Sequence, residues 1–241
     1  MRRVGAIILA ASILGGCATT PEALEANDPL EPLNRETYQF DKLFDQYVVL
    51  PVAWVYFFHT PQPLKRSLHN VLINLDLPVT FTNDVLQGEF LRAGSSLGRF
   101  TLNSTFGLGG LVDLATPAGL PYRSADFGET LADYGVPEGP FLVVPLIGPD
   151  PPRDLAGDAV DLWIDPLFYL PPGAPLAERF AITAGLRAGS PFEEHARNIV
   201  LRQELEKGSM DPYVTMRSVY RQLREEEITG SVTDAETLDS K

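Results

Sequence analysis

The sequence predicts a mainly α-helical, single-domain protein with at most one short hairpin. Three observations carry this. Apolar residues recur at helical spacing in separate stretches, as at Leu64, Leu68, Val71, Leu72 and Leu75, which marks one face of an amphipathic helix. The one apolar run bounded by prolines, GPFLVVPLIGP at 139–149, has room for a strand or hairpin and little else. No internal repeat or linker divides the 241 residues, and one domain of that length can bury a sizeable core.

The chain opens with a targeting segment. Arg2 and Arg3 precede a short apolar run from Val4 to Leu14, and Leu14-Gly15-Gly16-Cys17 has the form of a lipobox cleaved before Cys17. An ordinary signal peptide that happens to end in cysteine is the alternative. The apolar run falls short of the roughly 20 residues a bilayer span needs. Cys17 is the only cysteine, so it has no disulfide partner in the chain; acylation accounts for it. Ala18, rather than aspartate, follows and favours the outer membrane. Residues 1–16 are thus assigned as signal peptide, 17–27 as a lipidated tether, 28–227 as a helical domain and 228–241 as a disordered acidic tail. On this division Cys17→Ser is expected to fold normally and mislocalise.

The net charge of −13 becomes more negative once Arg2 and Arg3 are removed. That balance argues against nucleic acid and against simple adsorption to anionic lipid. No mature stretch is long and apolar enough to span a bilayer, so membrane contact beyond acyl chains is expected to be interfacial.

Asn34 is expected to cap a first helix with Thr37, Phe40, Phe44, Tyr47 and Val48 on one face. VVLPVAWVYFF (48–58) follows without a charge, and Pro51 is expected to kink or break it. The segment fits a buried core as well as a membrane interface, where aromatics gather; Trp54, Tyr56, Phe57 and Phe58 are the candidate membrane-contact residues. The helix around Leu64–Leu75 is expected to end near Pro78, with a second short one from Phe81 to Gln87 closed by Gly88. Another is expected from Phe90 to Phe106. Its Gly94, Gly98, Thr101 and Thr105, continued by Gly109, form a small-residue stripe suited to close helix contact. Ten prolines between Val136 and Pro175 leave one helical interval, 153–165. There Asp154, Asp158, Asp161 and Asp165 share a face that is expected to meet water, a partner or a polar channel. Three helices complete the reading: Leu176–Ala188, Phe192–Lys207 and Pro212–Glu227. The last turns Tyr213, Met216, Val219, Tyr220 and Leu223 inward.

Catalytic chemistry finds no footing. His59, His69 and His195 lack the spacing of a metal site, no G-x-S-x-G occurs, and the glycines at 107, 109 and 110 do not complete a nucleotide-binding fingerprint because Val112 holds its sixth position. Asp126, Glu129 and Asp133 could pair as acid and base, but capping and surface charge explain them better. No enzyme activity, cofactor or metal is expected.

Long blocks carry a resemblance. DPLEPLNRETYQFD (28–41), GRFTLNSTFGLGGLVDLA (98–115), DFGETLADYGVPEGPFLVVPLIGP (126–149), RDLAGDAVD (153–161) and DPYVTMRSVYRQLR (211–224) resemble, in this order, the VacJ/MlaA family of outer-membrane phospholipid-transport lipoproteins. The resemblance implies a ring-like assembly of amphipathic helices, lipid-anchored in the inner leaflet of the outer membrane on the periplasmic side. It implies an amphipathic passage taking mislocalised phospholipids from the outer leaflet to a soluble periplasmic carrier for retrograde transport, beside a trimeric porin. A structural lipoprotein scaffolding a porin-containing complex without passing lipid is the alternative. Candidate passage-lining residues are Gly107, Gly109, Gly110, Asp154, Asp158, Asp161 and Asp165.

Overall fold

The computed structural model describes residues 20–170, 172–200, 204 and 208–229. The expected signal peptide, Cys17 and all of the expected tail beyond Thr229 lie outside the described residues. Helices run in the order α1 Pro21–Glu25, α2 Glu31–Phe44, α3 Leu50–His59, α4 Gln62–Leu86, α5 Phe90–Thr105, α6 Phe127–Asp133, α7 Pro152–Ile164, α8 Leu176–Arg187, α9 Gly189–Arg197 and α10 Pro212–Thr229. Antiparallel strands β1 Val143–Val144 and β2 Gly148–Pro149 pair Val143 with Pro149 and Val144 with Gly148, as the 139–149 run suggested. Among the described residues no helix is long and apolar enough to cross a membrane. Contacts link α4 to α7, α7 to α8, α8 to α9 and α9 back to α4, a closed circuit, with α5 along α4 and α3 against α9.

Both expected proline breaks are absent. Between α2 and α3 a π-helical turn, Asp45–Val49, keeps the chain helical from Glu31 to His59. Leu50 N donates to Asp45 O, five residues back, shifting the register just ahead of Pro51; the missing proline N–H is absorbed by that bulge. Pro78 lies inside α4. A mid-helix proline costs roughly 3 kcal/mol, and here it is outweighed by packing, since Leu77, Val79 and Thr80 beside it are buried. Gly88 closes α4 as expected, with Glu89 N donating to Asp84 O at 2.9 Å.

Asn34 caps nothing. Buried inside α2, its amide acts as a surrogate strand: Nδ2 donates to Phe141 O at 2.9 Å and Oδ1 accepts from Val143 N at 3.0 Å. The expected tether is structured from Thr20 onward. Thr20 caps α1, and Ala23 is buried. A 3₁₀ turn, Pro166–Tyr169, was not anticipated among the prolines; Asp165 caps it by accepting from Leu167 N at 2.8 Å.

Candidate functional site

Polarity is distributed inside out. Among the described residues, buried polar and charged side chains outnumber buried hydrophobic ones. Buried polar groups require partners, and most of them have one. Meanwhile Leu33, Phe40, Leu43, Tyr47, Val52, Trp54, Val55 and Phe58 are exposed along one helical path from α2 to α3. Phe90, Leu91, Phe106 and Leu108 are exposed likewise on α5 and the loop after it. Exposed large apolar side chains in such number mark an interaction face.

The four aromatics proposed for membrane contact divide. Trp54, 39% exposed, and Phe58, 56% exposed, stack on the outside with ring centroids 4.6 Å apart. Tyr56 and Phe57 instead turn inward against Ala53, Ala196 and Ile199, and Tyr56 meets Phe192 edge-on at 5.8 Å. In a helix of 3.6 residues per turn, four nearly consecutive positions cannot share a face.

The small-residue stripe does not mediate helix contact. Gly94 faces open space, Thr101 and Thr105 are exposed, and α5 packs through Ala93, Ser96, Arg99 and Asn103. The close backbone approach occurs elsewhere. A Cβ on Gly157 of α7 would lie 2.4 Å from Gly128 N and 2.8 Å from Gly128 Cα of α6.

Around this crossing lies a network of charges. Asn83 on α4 donates to Asp161 Oδ1 at 2.7 Å, and Phe127 N donates to Asp161 Oδ2 at 2.9 Å. Arg224 on α10 forks onto Asp126 at 2.7 and 2.9 Å and reaches Asp154 at 2.9 Å. Tyr220 OH donates to Asp154 at 3.0 Å, and Arg187 donates to Asp165 at 2.9 Å. Asp154, Asp161 and Asp165 are therefore buried struts, which corrects the expectation of a wet aspartate face; only Asp158 of the four is exposed. The inner face of α10 is corrected in part: Tyr213, Met216 and Tyr220 pack inward with Phe141 and Val143 as expected. Tyr213 and Arg217 are buried and Arg221 and Arg224 half-buried, while Val219 and Leu223 are exposed.

The glycine loop forms a tight corner after α5. Gly107 is enclosed, since a Cβ there would lie 2.3 Å from Val112 O; one on Gly110 would lie 2.6 Å from Asn74 Cβ, at φ +96°. Gly109 is open and exposed. The loop rests on Asn74 of α4, whereas Asp161 is bonded to Asn83 on the same helix. The two candidate passage segments thus contact one helix at points nine residues apart, roughly 13 Å along its axis. Asn103 and Asp113 hold the corner from below: Asn103 Oδ1 accepts from Leu114 N at 2.8 Å, and Arg99 binds Asp113 at 3.1 Å.

Burial, reinforced by the charge of Asp126, pushes Glu129 up to about 8. Burial with neighbouring Asp158 raises Asp150 to about 7, and burial raises Asp161 to about 7 against the bonds from Phe127 and Asn83. For Asp126, burial acts in the same sense, but the Arg224 fork overrides it and holds the carboxyl low. For the raised groups the native state binds more protons than the unfolded chain between the two pKa values. Their contribution to stability is therefore expected to fall as pH rises from about 4, up to about 7 for Asp150 and Asp161 and up to about 8 for Glu129, by up to ~1.4 kcal/mol per pH unit for each group. Glu129→Gln should flatten that slope in a thermal-melt series. An unchanged slope would show that Glu129 remains ionised.

Sequence reasoning missed Arg217, Arg221 and Arg224, Asn83, and the Gly128–Gly157 crossing. The arginines stand at i, i+4 and i+7 in an acidic chain, and that basic stripe was the available signal.

The family described as MlaA lipoprotein matches residues 26–227. The intermembrane phospholipid transport system lipoprotein MlaA of Haemophilus influenzae is 34% identical over 97% of this chain and 92% of its own. The Escherichia coli protein of the same name is 32% identical over 91% and 86%. A solved chain described under "Structural basis for maintenance of bacterial outer membrane lipid asymmetry" superposes with a TM-score of 0.71 at 30% identity, covering 83% of this chain and 98% of that one. With a polar-cored, apolar-skinned helical body of that same fold, this chain belongs to the MlaA lipoprotein family.

Proposed function

We propose that this protein is the outer-membrane lipoprotein of an intermembrane phospholipid transport system, and that it maintains lipid asymmetry. In this reading it sits in the inner leaflet of the outer membrane on the periplasmic side, anchored by acylated Cys17 and without catalytic activity. It takes mislocalised phospholipids from the outer leaflet through an amphipathic passage, beside a trimeric porin, and hands them to a soluble periplasmic carrier. The inside-out polarity is the observation that carries this. An apolar skin suits acyl chains, and a polar interior offers a headgroup the partners it loses on leaving water. The uncharged part of this helical run, residues 48–58, is about 16 Å long and too short to span a bilayer; the exposed side of α3 suits an interfacial position.

For the passage, we assign Gly109 and Asp158 to its wall, with Gly107 and Gly110 shaping the loop and Asp154, Asp161 and Asp165 bracing it from behind. Deleting the gene should raise outer-leaflet phospholipid, measured by amine-reactive labelling of intact cells. The native gene should reverse this, and Asp158→Leu should do so poorly while reaching the membrane in normal amount. A deletion strain with unchanged outer-leaflet phospholipid would leave the scaffolding role instead. Mass spectrometry of the mature N-terminal peptide should find Cys17 acylated; an unmodified Cys17 would remove the anchor from the account.

A further inference from the structure

The chain leading from Cys17 into the body is fixed almost from its start. Thr20 caps α1, accepting from Ala23 N at 3.2 Å, and Ala23 is 1% exposed. Asp28 N donates to Ala23 O at 2.8 Å, closing α1 onto the next segment. Asn27 Nδ2 donates to Gly139 O at 2.7 Å, and Phe141 N donates to Asn27 O at 2.8 Å, so the root of the hairpin grips this segment. Asp28 is fully buried; it accepts from Asn34 Nδ2 at 2.8 Å, from Arg217 at 2.6 Å and from Tyr213 OH. Arg221 adds a bond to Ala26 O. Three separate elements, α2, the hairpin root and α10, thus converge on residues 26–28.

Only Ala18 and Thr19 stand between Cys17 and Thr20. Three Cα steps reach at most about 11 Å. A body on so short a lead cannot drift from the leaflet that holds the acyl chains.

We propose that the anchor is a positioning strut rather than a passive tether. The docked segment holds the acylated cysteine at one corner of the body, and the phospholipid leaflet covers the apolar surface beginning there. That surface starts with Leu24, 57% exposed, and Leu33, 59% exposed, and continues along α2 through Phe40 and Leu43. Its occupant is the leaflet itself, because the chain length outside the described residues leaves the anchor nowhere else to insert. The proposal rests on the acylation of Cys17 stated above.

The test is a twelve-residue Gly/Ser insertion between Thr19 and Thr20 in the full-length protein, which leaves the lipobox and the two residues after it intact. Such a linker spans roughly 19 Å on its own, in addition to the native lead, and the volume open to the body then grows several-fold, lowering the local concentration of the correct pose accordingly. A photo-crosslinking amino acid at Leu24 should label phospholipid in the native-length chain, and several-fold less in the extended one. Clearance of outer-leaflet phospholipid should drop in parallel, with acylation by mass spectrometry and membrane fractionation unchanged. Equal crosslinking and clearance in an acylated, membrane-sorted extended chain would overturn the strut. An unacylated Cys17 in the native chain would overturn its premise instead, and the same mass spectrum distinguishes the two.

Discussion

Gly157→Ala is expected to destabilise the protein by about 3 kcal/mol or more. The added methyl would lie 2.4 Å from Gly128 N, 2.8 Å from Gly128 Cα and 3.0 Å from Phe127 C. All three are backbone atoms within or beside α6, so no rotamer change relieves the clash and α6 must separate from α7. Separation would pull Phe127 N off Asp161, now bonded at 2.9 Å, and leave a buried carboxylate oxygen without its donor. The informative control is Gly94→Ala, where a Cβ meets nothing within 4 Å. Alanine is favoured over glycine in a helix by roughly 0.5–1 kcal/mol, so this change should be neutral or stabilising. Thermal unfolding followed by circular dichroism reads both. Equal melting temperatures for the two variants would show that α6 and α7 do not cross as closely as described.

Arg224→Leu comes second, at about 3–5 kcal/mol, the scale of removing one partner from a buried ion pair. Arg224 serves Asp126 through both carboxylate oxygens, one of which also accepts from Glu129 N at 2.7 Å, and it reaches Asp154 and, at the exposed edge, Glu227. Without it burial prevails at Asp126, whose carboxyl should move from below its ordinary range to above it. The variant should therefore recover stability relative to the native protein as pH is lowered toward 5, because protonation then removes the unpaired charge. Asp126→Asn in the Arg224→Leu background should restore part of the loss. A loss that persists equally at all pH values would mean that packing of the arginine stem, rather than its charge, holds α10.

These two sites also show what was and was not legible in the sequence. Helix positions were legible because apolar periodicity reports local geometry; α5, α8 and α10 begin where their spacing placed them. The hairpin was legible from its prolines. Helix ends at Pro51 and Pro78 were misjudged, because local propensity is weaker than the packing of a long helix and a π bulge absorbs one proline. Inner faces were misjudged for a different reason. Hydrophobicity identifies the buried side only when the core is apolar, and around α7 and α10 it is made of paired charges. Asp161 looked solvated because its partner, Asn83, is distant in sequence. The glycine pair that matters, Gly128 and Gly157, belongs to two different helices, so no spacing rule within one segment reveals it. In the same way Trp54 and Phe58 lie four apart and share the exterior, while Tyr56 and Phe57 between them are turned into the body.

In the proposed function, phospholipid passes along the polar interior of this body and does not merely coat its apolar exterior. The most direct measurement is in-cell photo-crosslinking with a benzoyl-phenylalanine placed at single positions, followed by mass analysis of the adducts. Phospholipid adducts are predicted at position 58, on the exterior, and at position 158, on the proposed wall; none is predicted at position 222, on the exposed polar side of α10. Adducts at 58 with none at 158 would mean that lipid touches only the skin, and would contradict the passage.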